Sequence, residues 1–221
     1  MPEMVINGPE GRLEGRYHHS KQENAPIALM LHPHPQHGGT MSNPVVRRLD
    51  EAFKSRGFST LRFNFRGVGK SQGIFDRGEG ELSDAAAALD WLQGYNPNAN
   101  ACWVAGFSFG AWIGMQLLMR RPEIDSFIIV APPADLFDFG FLAPCPASGL
   151  IIQGDRDQLV SADAVQRLAT KLSHQRDIRV VHQVIQGADH FFHNHLDALA
   201  AAVERYLDGP QKKREAVAAG R

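Results

Sequence analysis

Gly106-Phe107-Ser108-Phe109-Gly110 sets a hydroxyl between two glycines, after the apolar run Cys102 to Ala105 and before the apolar stretch Ala111 to Met119. A sharp strand-to-helix turn forces its central residue into a strained backbone conformation and crowds the positions two before and two after, so both must be small. Such a turn lifts the Ser108 hydroxyl to the carboxyl end of a sheet and sets it at a helix N-terminus. There, backbone N–H groups and the helix dipole favour negative charge. The chemistry this prepares is attack of a serine oxygen on an acyl carbon. A glycine-rich turn with no function has the same five letters, so the reading depends on the residues around it.

A serine hydroxyl is a poor nucleophile at neutral pH and needs a base within hydrogen-bond reach, itself oriented by a third group. The chain offers both, in the order serine, acid, histidine. Gly154-Asp155-Arg156-Asp157 follows the apolar run Leu150 to Ile152, and Gly187-Ala188-Asp189-His190 follows Val180 to Ile185. Either Asp155 or Asp157 can serve as the acid, while Asp189 reads as a residue that caps its own loop. An oxyanion formed by the attack needs two aimed N–H donors, and Phe109, next after Ser108, supplies one.

The elements that must position these groups follow from periodicity. Apolar, β-branched runs recur at Ile27 to Leu31, Thr60 to Phe65, Cys102 to Ala105, Phe127 to Val130, Leu150 to Ile152 and Val180 to Ile185. Helical spacing lies between most of them. Asn43 caps a helix with Pro44 at its first position and Gly57 as its stop, and Ser161 caps another. Leu82 to Leu92 and Leu196 to Leu207 repeat the pattern. Alternating strands and helices imply a mostly parallel central sheet with helices on both faces, because parallel pairing needs a crossover. Val5 to Ile6 and Arg12 to His18 suit short antiparallel strands ahead of it. Residues 1–208 read as one α/β unit and 209–221 as a basic, small-residue tail.

At this point the chain resembles the α/β-hydrolase superfamily. Members carry a G-x-x-D-x-x-V segment after the strand bearing the acid and a G-x-x-H segment after the last strand. Gly154 to Val160 matches the first, which selects Asp157, and Gly187 to His190 matches the second. The second oxyanion donor of the superfamily comes from a His-Gly-x turn. Here Pro33 stands where that glycine sits, which aligns the backbone N–H of His34 with the donor position. The His-Pro-His-Pro run from His32, Gly38-Gly39-Thr40-Met41, Asn64 to Ser71, the serine turn and Ala188 to Phe192 resemble a compact bacterial branch without a lid domain, distantly similar to dienelactone hydrolases. Dienelactone hydrolases use a cysteine nucleophile, and this chain has Ser108. The resemblance implies an α/β-hydrolase fold with no separate lid, a Ser108–His190–Asp157 array and no cofactor.

Composition narrows the partners. The chain has 221 residues, 43% of them hydrophobic and 21% charged, enough for a substantial core. A formal net charge of -1 leaves no basic excess for a nucleic-acid backbone, so a small-molecule acyl substrate is expected. Cys102 and Cys145 are too few for a disulfide framework and read as buried free thiols. No run approaches a membrane span and no signal peptide is visible, so a cytoplasmic location is the default expectation. Gly67-Val68-Gly69-Lys70-Ser71 resembles a phosphate-binding loop but has Asn64 where the first glycine belongs. It reads as a support for the site, with Arg66 anchoring backbone or carboxylate groups. His32, His34 and His37, like His190, His193 and His195, lack the His-Glu-x-x-His metal pattern. The expected activity is hydrolysis of a small or medium acyl ester. Thioesters, amides and peptides use the same parts, and a binding protein that keeps the fold without turnover is the other class.

Overall fold

The sheet of this computed structural model has the order β1-β2-β4-β3-β5-β6-β7-β8. The structure describes residues 3–142, 144–175 and 177–209, so the proposed tail beyond Gly209 lies outside the described residues. β1 (Glu3–Gly8) and β2 (Gly11–His18) pair antiparallel, and β2 joins β4 (Ser59–Phe63) in the same sense. From there β3 (Ile27–Leu31), β5 (Cys102–Phe107), β6 (Ser126–Val130), β7 (Ser148–Gly154) and β8 (Val180–Ile185) run parallel to β4. All the carboxyl ends of these strands therefore open on one rim. β4 stops two residues before the apolar run suggests: Asn64 N–H still donates to Glu14 O of β2, but its side chain turns to Met41 N–H and the Glu14 carboxylate.

Side-chain alternation divides the core into two layers. On one face Ile27, Leu29, Leu31, Val104 and Ile129 pack under α2 (Glu79–Gly94), α3 (Phe109–Arg120) and α4 (Ala162–Ser173). On the other, Ala28, Met30, Trp103, Ala105 and Ile128 meet α1 (Pro44–Ser55) and α5 (Leu196–Asp208). The central strands β3, β5 and β6 are apolar on both faces because helices cover both, which is why they read as continuous apolar runs.

Helix ends follow the expected chemistry. Asn43 Oδ1 accepts from Val45 N–H at 2.9 Å, Pro44 occupies the first turn, and Gly57 follows the helix with φ 81°. Ser161 Oγ accepts from Ala164 N–H. The N-cap of α2 is Gly78, which has no side chain to cap with, and Glu81 reaches back instead. Its carboxylate accepts from Gly78 N–H at 2.7 Å and Asp76 N–H at 2.9 Å.

β6 and β7 are parallel neighbours, yet residues 131–147 between them contain no helix or strand among the described residues. The segment is held down by apolar packing, with Phe139 and Leu142 buried in the helix-covered layer. Trp112 Nε1–H also donates to Asp138 O at 3.0 Å. The fold is thus an α/β-hydrolase fold with a mostly parallel sheet, helices on both faces and, among the described residues, no lid over the rim.

Candidate active site

Ser108 joins β5 to α3 with φ 53° and ψ -118°, a conformation that costs a non-glycine residue energy and persists only where packing imposes it. The neighbours explain why. A Cβ on Gly106 would stand 2.3 Å from Gly110 O, and one on Gly110 would stand 2.4 Å from Leu31 O. Both are backbone atoms that cannot swing aside. Ser108 N–H donates to Val130 O at 2.9 Å, and Ser108 O accepts from Ala111 N–H at 2.8 Å, which locks the turn from both sides.

His190 bridges the serine and the acid. Its Nε2 lies 3.1 Å from Ser108 Oγ, and its Nδ1 lies 2.8 Å from Asp157 Oδ2. A carboxylate only accepts, so Nδ1 carries the hydrogen and Nε2 accepts from the hydroxyl. The Asp157 side chain is fully buried. Burial pushes its pKa up, but the His190 hydrogen bond and the N–H groups of Val160 and Leu159 outweigh it and hold the carboxyl below its usual range.

Asp155 sits elsewhere, taking Gly187 N–H on Oδ1 at 2.6 Å and so fastening the two loops together. Asp189 caps its own loop, accepting His193 N–H at 2.9 Å. Of the two candidate acids, the structure brings only Asp157 to His190.

His34 and Phe109 also meet, with ring centroids 5.0 Å apart. His34 caps the short turn Pro35–His37, its Nδ1 accepting from Gln36 N–H at 3.2 Å. Among the described residues, the backbone N–H groups of His34 and Phe109 find no protein acceptor. The Gly67 to Ser71 loop has no helix directly behind it, since α2 begins only at Glu79. It is tied to the protein instead. The Arg66 guanidinium forms a buried pair with Asp84, and Ser71 Oγ donates to Asn64 O.

Two residues escaped the sequence reading of the site. Gln153, fully buried in β7, donates from Nε2 to Asp157 Oδ2 at 3.0 Å, the same oxygen that accepts from His190. Its signal was an amide at the end of an apolar run, where an unpaired polar group would be costly. The sequence places His32 in a histidine cluster and in the His-Pro-His-Pro run, with no role for its ring. It is fully buried, donates from Nδ1 to Pro33 O at 2.7 Å and accepts at Nε2 from Phe65 N–H at 3.0 Å. Its lack of exposure lowers its pKa to about 4, so it is neutral at physiological pH. The carbonyl it holds belongs to the peptide unit whose N–H is that of His34.

Fold and site together define an α/β-hydrolase of the serine-hydrolase type. The chain belongs to the family described as X-Pro dipeptidyl-peptidase (S15 family), whose model matches residues 16–215. It is 53% identical to an uncharacterized protein of Rickettsia prowazekii, over 94% of this chain and 89% of that one. Among solved structures it is similar to a protein of unknown function from Agrobacterium tumefaciens, described there as a candidate α/β-hydrolase. That pair shares 57% identity with a TM-score of 0.93, covering 96% of this chain and 97% of the other. A serine hydrolase without a lid from Xanthomonas campestris is 33% identical with a TM-score of 0.82, covering 92% of each chain. No described helix is long and apolar enough to cross a membrane.

Proposed function

We propose that residues 1–208 act as one catalytic unit in which Ser108 is the nucleophile, His190 the general base and then acid, and Asp157 the group that orients and stabilises the imidazolium. The substrate is a small acyl compound. The observation that supports this is the continuous hydrogen-bonded path from Ser108 Oγ through His190 to Asp157. A bond forms between Ser108 Oγ and the acyl carbon while the hydroxyl proton passes to His190 Nε2. The carbonyl oxygen becomes an oxyanion held by the N–H groups of His34 and Phe109. The bond to the leaving atom then breaks as His190 returns the proton to it, and a water molecule repeats the sequence to release the acid. Because its carbonyl is held by His32, the Pro33–His34 peptide is fixed before charge develops, which reduces reorganisation in the reaction.

These parts act equally on esters, thioesters and amides. Membership of a family described by a dipeptidyl-peptidase favours an amide or peptide bond over the ester expected from sequence. An amine leaves only when protonated, and His190 is placed to protonate it. The test is a panel of an activated ester, a thioester and an X-Pro anilide, with Ser108→Ala as control. Peptide-anilide turnover with kcat/KM at or above that for alkyl esters supports the peptidase reading. Ester turnover with an inert anilide reverses it. Absence of any Ser108-dependent turnover sinks the enzyme reading and leaves a binding protein.

A further inference from the structure

Phe191 follows His190, and its ring stands perpendicular to the imidazole with centroids 5.1 Å apart. Phe107 meets it edge-on at 6.4 Å. Despite these contacts it stays 45% exposed. Ile74, Leu136 and Leu159, at 81%, 65% and 56%, are further large apolar side chains left in water, and all three lie in segments that follow β4, β6 and β7. Phe191 and these three thus lie in segments that leave the carboxyl ends of strands, the end of the sheet at which Ser108 sits.

The exposure of Phe191 is imposed by its loop. Phe192 is fully buried with φ 56°, and a bulky residue holds a positive φ only where its surroundings demand it. Asp189 supplies the demand. Its backbone O accepts from Phe192 N–H at 3.2 Å, and its carboxylate takes both the backbone N–H of His193 and, at 2.6 Å, the His193 ring. With Phe192 turned into the core, Phe191 is turned out and held there.

Reaction geometry assigns it a side. The leaving atom must come within hydrogen-bond reach of His190 Nε2 to take its proton, while the carbonyl oxygen points to His34 and Phe109. The substituent on the leaving atom therefore runs past the imidazole and its neighbour Phe191, away from the cluster formed by His34, Phe75 and Phe109. We propose that Phe191 is a specificity-determining residue whose exposed face binds an apolar leaving group, so that the preferred substrates release an apolar alcohol, thiol or amine. This rests on Ser108 and His190 acting as set out above.

The experiment compares matched substrates that share one acyl group and differ in the leaving group, benzyl against methyl, as esters or, for an amide-specific enzyme, as amides. Phe191→Ala lowers the benzyl-to-methyl ratio of kcat/KM about tenfold, the scale set by losing a few apolar contacts in a binding site. The ratio ranks Phe191→Trp and wild type above Phe191→Leu, and that order decides the matter should the alanine variant fail to fold. A series of lengthening acyl groups with a constant leaving group keeps its slope. An unchanged benzyl-to-methyl ratio in the folded variants overturns the proposal. So does a changed acyl slope with a constant ratio, which puts Phe191 on the acyl side. Fluorophosphonate labelling of the wild type separates the two levels. Without labelling the catalytic reading itself fails, whereas labelling and turnover with an indifferent ratio refute only the role of Phe191.

Discussion

His32 makes acid stability a direct readout of how the loop bearing Pro33 and His34 is held. Its imidazole is neutral in the folded protein, with a pKa lowered from 6.5 to about 4, chiefly by burial. The folded pKa lies below the unfolded one, so the unfolded chain takes up the proton first as pH falls. The stability linked to this group is complete above 6.5 and is lost progressively down to about 4. At ~1.4 kcal/mol per pH unit, the loss between about pH 7 and about pH 4 is about 3 kcal/mol. Asn is the informative replacement, because its amide N–H can still serve Pro33 O but does not titrate. The variant leaves Phe65 N–H without its acceptor, which costs about 1–3 kcal/mol at neutral pH. On acidification this deficit shrinks by about 3 kcal/mol, since every other titrating group is common to both proteins. Urea denaturation of wild type and His32→Asn at the two pH values measures it. A deficit that changes by less than about 1 kcal/mol would show that His32 is not held neutral by the fold.

Three further outcomes follow from the site. Asp157→Asn, which presents the wrong hydrogen-bonding group to His190, lowers kcat by about 10⁴. Asp155→Asn keeps an acceptor for Gly187 N–H and costs less than about tenfold, so the reverse order in steady-state kinetics refutes the assignment. Gly110→Ala drives a Cβ to 2.4 Å from Leu31 O and 2.6 Å from His32 O, and should destabilise the fold by about 1–3 kcal/mol. A denaturation midpoint equal to wild type would show that the turn has room to relax. With no lid to displace, the rate on a sparingly soluble acyl substrate should saturate smoothly through the concentration at which droplets form. A jump at that point would reveal a cover that opens at interfaces.

The order of strands and helices was legible because the central parallel strands are apolar on both faces and α1 on one, as in Ile27 to Leu31 and the Val45, Val46, Leu49 face. The serine turn was legible for a steric reason, since backbone carbonyls fill the space that side chains at 106 and 110 would need. Asp155 and Asp157 stand two residues apart in one loop, and in the sequence it is the resemblance to the G-x-x-D-x-x-V segment that selects Asp157. The packing of β7 against β8 adds the physical reason, since Asp155 spends its oxygen on Gly187. The partners of the site were hidden in the sequence. Gln153 acts on a residue four positions on in sequence, but His32 meets Phe65 across 33 residues, and such pairings exist only once β3 and β4 are side by side. The start of α2 was invisible because Gly78 leaves capping to Glu81.

Trapping the Ser108 oxygen tests whether Ser108 Oγ is the atom that attacks the acyl carbon. Wild type and Ser108→Ala, each checked for native circular dichroism, are treated with a fluorophosphonate, digested and mapped by mass spectrometry. A single adduct is expected on Ser108 in the wild type and none on the alanine variant, because the Ser108 hydroxyl has His190 Nε2 at 3.1 Å to take its proton and Asp157 behind that histidine. An adduct on another residue, or equal labelling of the folded Ser108→Ala variant, would contradict it.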